Sequence, residues 1–195
     1  TITFKGSASA NDTIIAGTDA AFVLEGAKYM NFEDLFIYTP NNSSFRLNGS
    51  SDISITGNTI MSNTTSTSSV INAIIASASA TSAFSTTAGE QNITIENNDI
   101  MGGYYGIRFY GSMAARNGDI VISGNTMTDQ YYYGIYVYYG DNVEISDNEL
   151  SGFRSNFAYG VYPYQVNGCQ ITGNHISDLY YGIYGYYLSS TSTAN

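Results

Sequence analysis

The sequence predicts an all-β fold, a right-handed parallel β-helix in which about seven coils of roughly 23 to 27 residues stack into a three-sheet solenoid. Three observations carry that expectation. An eight-residue phrase returns five times with the same internal spacing, a second phrase precedes it at a fixed offset, and an Asn recurs at one corner of the coil.

The phrase reads Ile53-Ser54-Ile55-Thr56-Gly57-Asn58-Thr59-Ile60, then Ile93 to Ile100, Ile120 to Met127, Val143 to Leu150 and Cys169 to Ile176. An earlier copy, Met30 to Ile37, keeps the apolar positions without the Asn. The first apolar positions are 30, 53, 93, 120, 143 and 169, at intervals of 23, 40, 27, 23 and 26. The two leading apolar residues stand two apart, the period of a strand with one buried face. The next apolar residue follows the Asn by two, so the Asn sits at a corner between two short strands. Stacked coils bring successive corners about 4.8 Å apart. At that spacing Asn58, Asn98, Asn125, Asn148 and Asn174 are expected to form a hydrogen-bonded ladder.

The second phrase is Gly106-Ile107-Arg108-Phe109-Tyr110, Gly134 to Tyr138, Gly160 to Tyr164 and Gly182 to Tyr186, with simpler versions at Phe22-Val23-Leu24 and Phe45-Arg46-Leu47. Leu24 to Met30, Leu47 to Ile53, Val137 to Val143 and Pro163 to Cys169 each span six residues. Each coil therefore holds three short strands.

These phrases resemble the coils of the pectin-lyase-like superfamily from about Phe22 to Leu188. The resemblance makes the Gly-Ile strand the first sheet, the Ile-x-Ile strand the second and the Asn the turn between second and third. The right-handed sense follows from the family and from the handedness of parallel crossovers. The superfamily's enzyme signatures are absent. A polygalacturonase-like site needs Gly-His-Gly and Arg-x-Lys, and neither tripeptide occurs. A pectate-lyase-like site needs a basic residue beside calcium-binding acids, and Arg108 has no carboxylate in its columns.

The 40-residue interval contains Val70 to Ile75, which reads as a first-sheet strand, and a Ser/Thr/Ala-rich insertion, residues 76–91, expected to project as a loop. A smaller insertion, Ser112 to Asp119, falls at the same turn one coil later, so the two can form a local wall. Residues 1–195 are otherwise expected to be one β-helix domain.

Composition limits the partners. Sixteen acidic against six basic residues give a formal charge of -10, and no Lys/Arg cluster exists to neutralise nucleic-acid phosphates. Polyuronates would be repelled for the same reason. No apolar run is long enough to span a membrane. One cysteine, Cys169, excludes an internal disulfide and falls at an inward position. The low charge content and the Asn, Ser, Thr, Gly and Tyr bias suit an extracellular or cell-surface protein.

The candidate site is a ladder of tyrosines. Outward positions of the Gly-Ile strands hold Arg108, Tyr136, Tyr162 and Tyr184 in one column and Tyr110, Tyr138, Tyr164 and Tyr186 in the next. Tyr104, Tyr105, Tyr132, Tyr133, Tyr159, Tyr180 and Tyr181 precede the glycines. Read as a flat platform, they suit stacking on sugar rings and hydrogen bonding to sugar hydroxyls. Two other readings stay open. Tyrosine also stacks along sheets with no ligand and is enriched in protein interfaces. The superfamily's sugar chains lie along this first-sheet face, which the resemblance carries over as a location.

Other chemistry is weaker. Asp99 with Glu149, and Asp129 with Asp178, form carboxylate pairs two coils apart, at the limit for glycoside cleavage and away from the tyrosines. His175 is a lone solvent-facing histidine. Asp141, Glu144, Asp147 and Glu149 fall on one coil but point to different faces. The sequence thus predicts no catalytic residue, no cofactor and no required metal. The leading expectation is a polysaccharide-binding surface domain, adhesin-like or accessory. The alternatives are a structural or protein-docking solenoid and a fragment of a polysaccharide lyase or hydrolase. Second-sheet pairing after Tyr187 is expected near Thr191, where nothing apolar occurs, which suggests a segment of a longer protein or end-on packing with further coils.

Overall fold

Every strand pairing among the described residues is parallel, and residues one coil apart in sequence are neighbours in space. The structure is a computed structural model that describes residues 1–7 and 13–189, with the backbone of 193–194. Three faces run the length of the stack. The first carries Phe22–Glu25, Phe45–Asn48, Ile74–Ala76, Tyr105–Tyr110, the leading halves of Tyr133–Ser146 and Tyr159–Thr172, and Tyr181–Ile183. The second carries Ile2–Lys5, Lys28–Glu33, Ser51–Thr56, Gln91–Glu96, Asn117–Ser123, the trailing halves of the same two long strands, and Thr193–Ala194. The third carries Thr13–Ile15, Phe36–Thr39, Thr59–Ser62, Asp99–Met101, Thr126–Thr128, Glu149–Ser151 and His175–Ile176. The parallel β-helix of about seven coils is therefore the fold.

The register follows the repeat. Met30, Ile53, Ile93, Ile120, Val143 and Cys169 form one column. Ile55, Ile95, Ile122 and Ile145 form the next inward column, all fully buried. Each buried isoleucine removes apolar surface worth about 1.5–3 kcal/mol from water. In the early coils phenylalanines take this role: Phe4 stacks on Phe32 at 5.1 Å and Phe22 on Phe45 at 4.9 Å.

The Asn ladder is a closed hydrogen-bond network. Asn98, Asn125, Asn148 and Asn174 each accept, through Oδ1, the backbone N–H and the side-chain amide of the ladder Asn one coil back, at 2.9–3.0 Å. Asn58 accepts the Leu35 N–H at 3.0 Å, so the copy that lacks an Asn still joins the ladder through its backbone. Each Nδ2 also reaches a carbonyl in the preceding coil, from Phe32, Ile55, Ile95, Ile122 and Ile145 in turn. A buried amide would be costly without these partners.

The residue before each ladder position has positive φ: Asp34, Gly57, Asn97, Gly124, Asp147 and Gly173. A second such column, Tyr29, Asp52, Asn92, Asp119, Asn142 and Gly168, opens the second-face strands. A third, Gly102, Asp129, Gly152 and Asp178, closes the third face. Left-handed backbone favours Gly, Asn and Asp, so many of the chain's aspartates stand where the corners need them.

Three boundaries differ from the sequence reading. The strand expected over Val70 to Ile75 is Ile74–Ala76. Ala76 and Gln91 end the flanking strands, so the long insertion runs over 77–90. The smaller insertion narrows to 111–116, because Asn117–Ser123 is already paired. The last second-face strand is Thr193–Ala194, held by backbone pairing to Gln170 and Ile171. Thr191 and Ser192 lie outside the described residues.

Candidate functional site

The tyrosines occupy three adjacent columns on the first face. Tyr105, Tyr133, Tyr159 and Tyr181 form the first. Arg108, Tyr136, Tyr162 and Tyr184 form the second, and Tyr110, Tyr138, Tyr164 and Tyr186 the third. The glycine between the first two columns is required on the inner side of the strand, where the core and the next coil pack closely. A Cβ on Gly134 would stand 2.7 Å from the Gly160 carbonyl oxygen and would also strike Leu150.

The rings do not lie flat as an open platform. In the first column successive centroids are 5.0, 5.1 and 4.7 Å apart with interplanar angles of 9°, 17° and 24°. In the third they are 4.7, 4.9 and 5.1 Å apart. In the second, Tyr136, Tyr162 and Tyr184 meet edge to face, 5.1 Å apart at both steps. Strand spacing sets these distances; at about 5 Å the near-parallel rings of the first column spend their faces on one another, while each edge-to-face pair of the second column uses one ring's face and the other's edge. What remains for a ligand is chiefly ring edges and hydroxyls. Tyr110, Tyr136, Tyr138, Tyr162 and Tyr164 are half-buried, while Tyr184 and Tyr186 are exposed.

Burial raises several of the phenols. Burial pushes the Tyr105 phenol up to about 12. Tyr138 rises to about 12 as well, from desolvation and then from the Tyr139 hydroxyl beside it. Tyr133 and Tyr136 are raised for the same first reason. These tyrosines present neutral hydroxyls, each a hydrogen-bond donor and acceptor.

Arg108 points outward as its register requires, but it is not open to solvent. It is fully buried. The insertion 77–90 folds back over the face instead of projecting. Ala83 packs with Ile75 and Tyr105, the Thr87 N–H donates to the Tyr110 carbonyl at 3.0 Å, and Phe84 lies over the guanidinium at 4.9 Å. The two insertions come together where they rejoin the second face: Nε2 of Gln91, just past the longer one, donates to the Arg116 carbonyl at 2.9 Å, and the Glu90 N–H donates to Oδ1 of Asn117, just past the shorter one, at 3.1 Å. Phe84 is the residue that sequence reasoning missed. Its signal was available, as it is the only aromatic in a Ser/Thr/Ala-rich stretch.

The carboxylates stay away from the tyrosines. Asp99, Thr126, Glu149 and His175 form one column on the third face, and Asp129 and Asp178 sit at positive-φ corners. Asp141 holds Arg116 through Nε at 2.8 Å and accepts from Asn167. Glu144 accepts from Ser146. Cys169 is buried in the core, which raises its thiol to about 11. No helix among the described residues is long and apolar enough to cross a membrane.

A family model described as the periplasmic copper-binding protein NosD matches residues 64–195, about two thirds of the chain. The chain belongs to the NosD family. No curated protein matches it. The NosD match contains all three tyrosine columns, the insertion 77–90 and four of the five ladder asparagines, with Asn58 just outside it. The family's description names copper, whose usual protein ligands are thiolate, thioether and imidazole. In this NosD chain those donors are dispersed. Cys169 is inside the core, His175 is on the third face beside Glu149, and Met61 and Met101 are neighbours on that face several coils earlier. No three His, Cys, Asp or Glu residues gather among the described residues. The donor set does not fit a copper centre.

Proposed function

We propose that this NosD-family β-helix is a non-catalytic module of the periplasm or cell exterior that binds neutral polysaccharide along its tyrosine face. The observation that carries this reading is the periodicity of uncharged hydroxyls, one set per coil, in three columns about 5 Å from ring to ring. That repeat is close to the advance of one pyranose unit in an extended glycan, so a chain laid along the solenoid axis meets an equivalent row at each sugar. Because most ring faces are turned toward neighbouring rings, recognition runs chiefly through tyrosine hydroxyls and ring edges. The net charge of -10 favours neutral glycans over polyuronates. The distance of the acids from this face supports binding without cleavage. The periplasmic location named for the family agrees with a composition suited to the cell envelope.

A second reading, a structural or protein-docking face, is favoured by the same self-stacking, since the rings already satisfy one another. Binding to a glycan array separates the two. A neutral oligosaccharide bound by the wild-type protein should lose at least about tenfold in affinity, about 1.4 kcal/mol, when Tyr136, Tyr162 and Tyr164 are all replaced by Ala. No binding at the outset, or unchanged binding in the triple variant, removes the polysaccharide reading and leaves the scaffold.

A further inference from the structure

The chain's other three arginines all have oxygen partners. Arg46 reaches Glu25 at 3.1 Å, Arg116 holds Asp141 and the Gly140 and Gln165 carbonyls, and Arg154 holds the Asp129 and Ser66 carbonyls at 2.8 Å. Arg108 differs. Its Nε, Nη1 and Nη2 are all buried, and none meets an acceptor with full hydrogen-bond geometry; its polar neighbour is the uncharged Tyr105 hydroxyl, which supplies no counter-charge. Four rings surround the cation, with centroids 4.2 Å away for Tyr110, 4.9 Å for Phe84, 5.0 Å for Tyr105 and 5.6 Å for Tyr136. Ring faces offset part of the cost of burying a charge, but they accept none of the five N–H bonds a guanidinium presents. A buried charge ordinarily has a counter-charge, and no carboxylate occupies this column or its neighbours in the tyrosine coils.

The cover is slight. Phe84 is 60 % exposed although it closes the site. Besides the cation it meets the edge of Tyr110, with centroids 6.1 Å apart at 87°. The loop's firm attachments are elsewhere, at Ala83 and Thr87. Phe84 is the most exposed of the four rings around the cation, so its rotation is the smallest movement that would open the guanidinium, with the loop backbone held at Ala83 and Thr87.

We propose that Arg108 is the centre of an oxyanion site, closed in this structure by Phe84, that takes a single carboxylate or sulfate group when the phenyl ring swings aside. The fork geometry of guanidinium matches either group with two parallel hydrogen bonds. The protein's negative charge disfavours polyanions but is screened beyond about 8 Å at physiological salt, so one anionic group meets mainly Arg108. The site goes beyond neutral-glycan binding and does not depend on it.

The test is the arginine Nε–Hε resonances of the ¹⁵N-labelled chain, followed during titration with acetate and, separately, methyl sulfate. In Phe84→Ala a saturable shift at Arg108 is expected, at least about tenfold tighter than in the wild type, with Arg116 and Arg154 unmoved. A response to acetate alone, to methyl sulfate alone or to both supports the site and names the group it takes. No shift at Arg108 with either anion, or equal shifts at all the arginines, overturns it. Phe84→Ser provides a second opening. If neither variant keeps the wild-type melting profile, Phe84 is not a removable cover and the proposal fails. The outcome is independent of the neutral-glycan measurement, so either idea can fall alone.

Discussion

Replacing Asn125 by Ala is expected to destabilise the protein by about 3–5 kcal/mol. Asn125 is fully buried, and its side chain makes five contacts. Oδ1 accepts from Asn98 N and Nδ2, while Nδ2 reaches the Ile95 and Ser123 carbonyls and Asn148 Oδ1. Alanine leaves the buried Asn98 N–H without an acceptor, at about 1–3 kcal/mol, and forfeits the four remaining bonds at about 0.5 kcal/mol each, the low end because three of them share the two Nδ2 hydrogens. Asn174 is the control, because it is only half-buried where Asn125 is fully buried. Asn174→Ala should cost about 1–2 kcal/mol. Urea unfolding of both variants checks the difference, and an Asn125→Ala cost no larger than that of Asn174→Ala would show that the ladder is not a cooperative network.

Stability should fall between about pH 4.5 and pH 7 by about 3 kcal/mol through Glu90 alone. This carboxyl is fully buried where the insertion rejoins the second face, and it accepts the N–H groups of Gly49 at 2.8 Å and Ser50 at 2.7 Å. Burial outweighs those two bonds and raises the carboxyl from 4.5 to about 7. Below pH 4.5 both folded and unfolded chains hold the proton, and Glu90 imposes no penalty. Between 4.5 and 7 the unfolded chain has released its proton while the fold retains it, so stability declines as pH rises. Above 7 the full cost is present and the dependence levels off. Glu90→Gln removes the titration. It lowers stability at pH 5, because an amide nitrogen then faces one of the two N–H donors, and it flattens the profile above. Denaturation midpoints from pH 4 to 8 test this, and parallel profiles for the two proteins would contradict it.

Periodic features were legible in the sequence because stacking imposes one environment on each column. The inward positions of Ile55, Ile95, Ile122 and Ile145, the Asn corner and the tyrosine columns all follow from spacing alone. The role of the aspartates was legible in principle too. Asp34, Gly57, Asn97, Gly124, Asp147 and Gly173 share a column, and only a left-handed corner asks for those residue types together. What spacing does not encode is the aperiodic insertion. Its path rests on single contacts, Ala83 against Ile75 and Tyr105 and Phe84 against Arg108, which no repeat announces. Ring orientation was hidden for another reason: strand register fixes where a tyrosine emerges, while its χ angles answer to the ring one coil away. The rings do not form the flat platform that spacing suggested, and the proposal rests on their hydroxyls instead.

Hydroxyl recognition makes the account's central claim testable by removing oxygen and nothing else. Tyr138, Tyr162 and Tyr164 can each become Phe with the ring stacks intact, so the fold and its melting temperature should hold. Calorimetric titration of this triple variant with a neutral oligosaccharide selected on the array is the decisive measurement. The account predicts that affinity falls at least about tenfold relative to the wild type. Undiminished affinity in the triple Phe variant would mean that ring faces, not hydroxyls, meet the sugar, and would contradict it.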